Sequence, residues 1–167
     1  MKPFAEWRVF PENRLIPVVT GGLEAFCRAL DLGAEHSLRL QLALEGVLGY
    51  CMHLAREPMA QREVTARVFL ADRMVRMEVE HDGPRGLLDH FFESGGRDRF
   101  KRTSFEALGM YLASEIMDEM TFHRVPRISS STALSRYCLG YDLDRPREKG
   151  FTIPGQPLTS LGVPKGE

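Results

Sequence analysis

The segment from about Ala34 to Arg56 constrains the fold more than any other. It keeps helical spacing throughout and is apolar on several faces at once, through Leu38, Leu40, Leu42, Leu44, Val47, Leu48, Cys51, Met52 and Leu54. A helix at the surface of a globular protein shows one apolar stripe; one that is apolar on several sides has to be covered on several sides. The chain therefore needs a helix at its centre with other elements packed around it. Glu45 stands in the middle of this run, where a charge is costly unless it is paired, hydrogen-bonded or turned toward water.

The flanking segments supply the covering elements. Ala5, Trp7 and Val9 alternate with Glu6 and Arg8, which predicts a short strand closed by Pro11. Leu15, Val18, Val19, Gly22, Leu23, Phe26 and Leu30 recur at helical spacing, with Asn13 placed to cap, Pro17 in the first turn and Gly33 at the end. After the central helix, Val64, Ala66, Val68 and Leu70 share one strand face, and Val75, Met77 and Val79 share another, with a tight connection at Ala71-Asp72. The run His81-Asp82-Gly83-Pro84-Arg85-Gly86 stops this hairpin, and the stretch from Phe91 to Ser104, with Gly95, Gly96, Arg97, Arg99, Lys101 and Arg102, reads as a mobile basic loop. A further helix is predicted from Phe105 to Met120, with strands around Phe122–Val125 and Thr132–Leu139. From Tyr141 to Glu167 the prolines and glycines are too frequent for a core element, so residues 141–167 read as an extended tail, laid over the surface or a partner, and residues 1–140 as the folded domain. The order of elements predicts an α+β two-layer sandwich: a mixed, largely antiparallel sheet with about three helices on one face.

Composition narrows the function classes. The 167 residues are about one domain long, and 43% apolar residues are enough for a packed core. With 22 basic and 23 acidic side chains the net charge is −1, so no overall field draws the protein to nucleic acid or an anionic membrane. Lys2, Glu6 and Arg8 stand where a signal sequence would be apolar, and no stretch reaches about 18 uninterrupted apolar residues, which predicts a cytoplasmic protein. Cys27, Cys51 and Cys138 lie far apart, with no spacing that would hold zinc, and are read as buried reduced thiols.

The spacing Glu45, Gly49, His53 puts three positions on one stripe of the central helix. The segment LALEGVLGYCMHLA resembles the first ATP-site helix of the anti-sigma-factor serine kinases, members of the GHKL superfamily of histidine-kinase-like ATPases with a Bergerat fold. In that family the stripe reads Glu, Asn, His. The family's next motif, Val-x-Asp-x-Gly-x-Gly, is similar to Val79-Glu80-His81-Asp82-Gly83-Pro84-Arg85-Gly86, with His81 at the adenine-reading Asp and Arg85 at the second Gly; a shift of one residue brings Asp82 and Gly86 into use. Ala107-Leu108-Gly109-Met110 resembles the family's Gly-Leu-Gly-Leu, and Asp118 follows Gly109 at the family's spacing of nine. Thr132 precedes the last predicted strand as a family Thr that reaches toward the nucleotide does. The resemblance spans roughly Phe10 to Leu139 and implies an ATP site with magnesium, a Glu45 that acts as base on the attacking hydroxyl or water, and a sigma factor or an anti-sigma antagonist as partner. Relatives commonly self-associate, so the resemblance leaves a homodimer open, with Trp7 a candidate for its surface.

The substitutions weaken that site. Gly49 removes an oxygen ligand from magnesium, and His81 removes a charged hydrogen bond worth roughly 1.5–3 kcal/mol. A similar metal penalty brings the total to ~3–6 kcal/mol, about 10²–10⁴ in affinity. Two classes of function follow: a regulatory protein that works by binding a partner, or a kinase or ATPase whose altered site still holds a nucleotide, with Arg85 or Lys101 making up for the lost ligand. Glu45 is either that kinase's base or a structural carboxylate paired with a neighbouring Arg or capping a water pocket. His53 and His81 are read as hydrogen-bonded structural residues, not as metal ligands. A third use, for another small ligand facing His81 and Arg85, has no feature that names the ligand.

Overall fold

The computed structural model describes residues 2–56, 63–93, 105–126 and 133–147. Strand β1 (Ala5–Val9) leads through a 3-10 turn (Asn13–Leu15) into helices α1 (Ile16–Ala29) and α2 (Ala34–Ala55). The hairpin β2 (Val64–Ala71) and β3 (Met74–His81) follows, then the short α3 (Asp89–Glu93), α4 (Phe105–Ile116), β4 (Glu119–Pro126) and β5 (Ala133–Asp142). The sheet order is β1-β2-β3-β5-β4, and every pairing is antiparallel. The fold is the expected α+β two-layer sandwich, and its largely antiparallel sheet is antiparallel at every pairing among the described residues, because hairpins and the return through α4 leave no parallel neighbours.

Alternation along the strands sorts the two faces of the sheet. Val64, Ala66, Val68, Val75, Met77, Val79, Phe122, Tyr137, Leu139 and Tyr141 point inward and are buried. The opposite face carries charges. There Glu80, itself only 5% exposed, accepts from Arg67 Nη1 at 2.6 Å and Arg136 Nε at 2.5 Å, and Arg67 also reaches Glu6 at 2.6 Å. Three helices cover the inner face. As its composition requires, α2 lies between α1 and α4 and on β2 and β3, and Leu40, Leu44, Val47, Leu48, Cys51 and Met52 are fully buried. Removing such a side chain to Ala typically costs about 2–5 kcal/mol.

Two close approaches set the spacing of this layer. A Cβ on Gly22 would stand 2.7 Å from the Trp7 ring, so α1 seats the indole of β1 against a bare backbone. A Cβ on Gly46 would stand 2.3 Å from the carbonyl oxygen of Gly109, so α2 and α4 cross backbone to backbone.

Several boundaries differ from expectation. Asn13 does not cap α1; it lies in the 3-10 turn, and the helix begins after Leu15 without a side-chain cap, with Pro17 in its first turn as expected. Gly33 precedes α2 and does not terminate α1. Asp31, at φ 54°, takes the left-handed position, with Asp31 N–H on Arg28 O and Leu32 N–H on Cys27 O in the pairing typical of a helix C-terminus. The predicted helix to Met120 stops at Ile116, because Met120 and Phe122 alternate inward as strand residues. Phe91–Glu93 belong to α3, while the rest of the basic stretch, 94–104, and Thr132 lie outside the described residues.

The last strand runs two residues past Gly140, and the chain beyond it stays attached. Leu143 N–H bonds Arg73 O at 2.9 Å, Arg145 Nη1 meets Asp118 Oδ1 at 2.5 Å, and Arg147 pairs with Asp118 and bonds the carbonyls of Asp142 and Ile116. Among the described residues no helix is long and apolar enough to cross a membrane. Cys27 and Cys51 are buried free thiols and Cys138 is half-buried.

Candidate functional site

The positions singled out in the sequence converge on the C-terminal half of α2. Glu45 and His53 are exposed on the outer side of that helix, and a Cβ at Gly49, between them, would meet nothing within 4 Å. At Gly49 the stripe therefore faces open space among the described residues. Glu45 lies turned to water, and among the described residues it has no ion-pair partner.

The loop after β3 folds back onto the same helix. A Cβ on Gly83 would stand 2.7 Å from the carbonyl oxygen of Leu54, and one on Gly86 would overlap the Tyr50 hydroxyl. Only glycine lets this loop lie flat on α2. His81 is fully buried, stacks on Tyr137 at 6.0 Å between centroids, and accepts the Gly83 N–H at Nδ1 over 3.1 Å. Nδ1 therefore carries no proton, and the imidazole fixes the turn at Asp82, which is half-buried. Arg85 pairs with Glu93 and lies 5.8 Å from the centre of the Phe122 ring. From α4, Ala107 is buried and Gly109 rests on Gly46, so Gly109 joins helices where the resemblance has it approach a nucleotide.

A buried carboxylate organises this corner, and none of the sequence motifs pointed to it. Asp89, at the start of α3, is completely buried. Its Oδ1 accepts the Tyr137 hydroxyl at 2.5 Å and the Tyr50 hydroxyl at 3.3 Å, and its Oδ2 accepts the Gly86 N–H at 2.8 Å. The Tyr50 hydroxyl also accepts the Leu88 N–H at 3.1 Å. Burial raises the Asp89 pKa above the usual carboxylate range, against the lowering effect of the three donors. Burial above all keeps the Tyr50 and Tyr137 phenols neutral, and the nearby Asp89 charge adds to it at both. The network fastens the 82–88 loop to α2 and β5 and offers no exposed reacting group. Its one sequence signal was a lone acid between Leu87-Leu88 and Phe91-Phe92.

Among the described residues no group of three or more His, Cys, Asp or Glu side chains is placed to hold a metal ion. The chain matches no known protein family and no curated protein.

Proposed function

We propose that this protein is a regulatory module of the anti-sigma-kinase type with a degenerate ATP site, and that it acts by binding a protein partner, a sigma factor or an anti-sigma antagonist. One observation carries this reading. The glycines that a nucleotide would need as an open cradle, Gly83, Gly86 and Gly109, are taken up in packing against Leu54, Tyr50 and Gly46. His81, at the adenine-reading position, is likewise engaged by its own loop. The stripe that stays accessible, with Glu45, Gly49 and His53, is a surface suited to a macromolecular contact.

The open space at Gly49 favours a second reading, an ATP-binding serine kinase or ATPase with magnesium and Glu45 as base. Calorimetric titration of the full chain with ATP and ADP, with and without magnesium, separates the two. The binding module shows no saturable heat at millimolar nucleotide and keeps partner affinity in Glu45→Ala. The kinase binds nucleotide, binds it more tightly in Gly49→Asn, where the side chain has room, and loses turnover in Glu45→Ala.

A further inference from the structure

On the outer face of the sheet, away from the helices, the charges do not pair off evenly. Glu80 takes the Arg67 and Arg136 guanidiniums at 2.6 and 2.5 Å, and Glu6 takes Arg67 from its other side at 2.6 Å. Those pairs leave Glu78 with contacts of only 3.9 Å to Arg67 and 4.0 Å to Arg136. Arg76, two residues earlier on β3, is exposed, and its side chain makes no hydrogen bond or ion pair among the described residues. Its cross-strand neighbours are Phe69 of β2 and Gly140 of β5, neither of which can pair with it. One charge of each sign is therefore left over on the central strand of the sheet.

Arg76 and Glu78 border two adjoining hollows. The larger, of about 380 Å³, runs past Arg76 to Phe69 and Pro3, which give it an apolar end. Phe69 is only 9% exposed and forms its floor. A simple anion seated on Arg76 would be repelled by the Glu78 carboxylate, and a simple cation seated on Glu78 would be repelled by the guanidiniums of Arg67, Arg76 and Arg136. A ligand that carries both charges meets neither penalty. The ammonium nitrogen and carboxylate carbon of an α-amino acid lie about 2.5 Å apart. With charge-assisted hydrogen bonds of ~2.8 Å at each end the contacts span about 8 Å. Successive side chains on one strand face rise ~6.8 Å apart, so a slight splay of Arg76 and Glu78 admits the ligand between them.

We propose that the outer face of the sheet binds a free α-amino acid with an apolar side chain, its carboxylate on Arg76, its ammonium on Glu78 and its side chain over Phe69 toward Pro3. The site lies on the far side of the sheet from α2 and does not depend on whether a nucleotide binds. The test is a titration of the isotope-labelled full chain with L-phenylalanine, followed by amide NMR. Saturating shifts are expected at the outward positions of β2, β3 and β5, with a Kd of roughly 1–10 mM for so small a ligand on an open face. N-acetylphenylalanine, which lacks the ammonium, and phenylalanine amide, which lacks the carboxylate, should each bind about tenfold more weakly. Arg76→Gln and Glu78→Gln should each weaken L-phenylalanine by a similar factor while amides outside the sheet keep their positions. Shifts that rise linearly to tens of millimolar would overturn the proposal, as would saturation at residues away from this face. Affinity unchanged in both variants would do the same, and N-acetylphenylalanine binding as tightly as the amino acid would assign the hollow to a plain carboxylate instead.

Discussion

Asp89 and Asp118 are both withdrawn from water, and the fold holds them by opposite means. Asp89 is surrounded by two tyrosine hydroxyls and a backbone N–H, whereas Asp118 is gripped by the Arg147 and Arg145 guanidiniums and the Asp142 N–H. Burial acts on both carboxyls in the same direction. At Asp89 it prevails and the pKa is raised; at Asp118 the hydrogen bonds from Arg147, the Asp142 N–H and Arg145, with the Arg147 charge, outweigh it and the pKa is lowered. Neutral donors satisfy a buried carboxylate without compensating its charge, while cations do both.

The comparison breaks most visibly at the cationic end. Asp118→Ala leaves Arg147, itself largely covered, without its counter-charge, and is expected to lower stability by about 3–5 kcal/mol in urea unfolding at pH 7. A loss under ~1 kcal/mol would show that the clamp at the end of β5 is not structural. Asp89→Asn keeps the shape and is expected to cost about 1–2 kcal/mol. The two variants should then diverge with pH. The folded pKa of Asp118 is depressed, so its contribution is complete above the ordinary carboxylate value and is lost as pH falls through the folded one. The Asp118→Ala deficit should therefore shrink on acidification. Asp89 has a raised folded pKa, so its contribution is complete below the ordinary value and declines as pH rises through the folded one, and the Asp89→Asn deficit should be largest in acid. Parallel stability profiles would remove the distinction between the two sites. Tyr137→Phe is expected to cost about 1 kcal/mol and, by deleting a donor to the ionised form, to move the Asp89 titration further up in carboxyl-detected NMR. Arg145→Ala, with a side chain 59% exposed, should cost no more than ~1 kcal/mol, and less in high salt.

The elements legible in the sequence are those with one wet face or none. The alternation in β1, β2 and β3 shows because the outer face of the sheet is charged, and α2 shows because it has to be covered on several sides. The site was less legible for two reasons. The rule that buried charge needs an explanation drew attention to Glu45, which periodicity places among leucines but which faces solvent. The carboxylate that obeys the rule, Asp89, sits in a turn-rich run with no period to reveal burial. Gly109 carries a motif position, yet its neighbour is Gly46 on another helix, and no local pattern in either segment announces a contact so distant in sequence. The predicted boundary at Gly140 falls inside β5 because the breakers that set it begin only at Pro146, after Tyr141 and Asp142 have carried the strand on; Gly140 itself takes an outward strand position, with the Glu119 Cβ 3.3 Å from where its own would stand.

The crossing of Gly46 on Gly109 also has a mechanical consequence. With peptide planes touching and no side chains between them to rotate aside, α2 and α4 cannot slide past one another without first being lifted apart. They behave as two bars riveted at one point. A load applied where Arg147 holds the end of α4 through the Ile116 carbonyl and Asp118 is passed to α2 as a tilt about that rivet, with no slack lost in side-chain rearrangement.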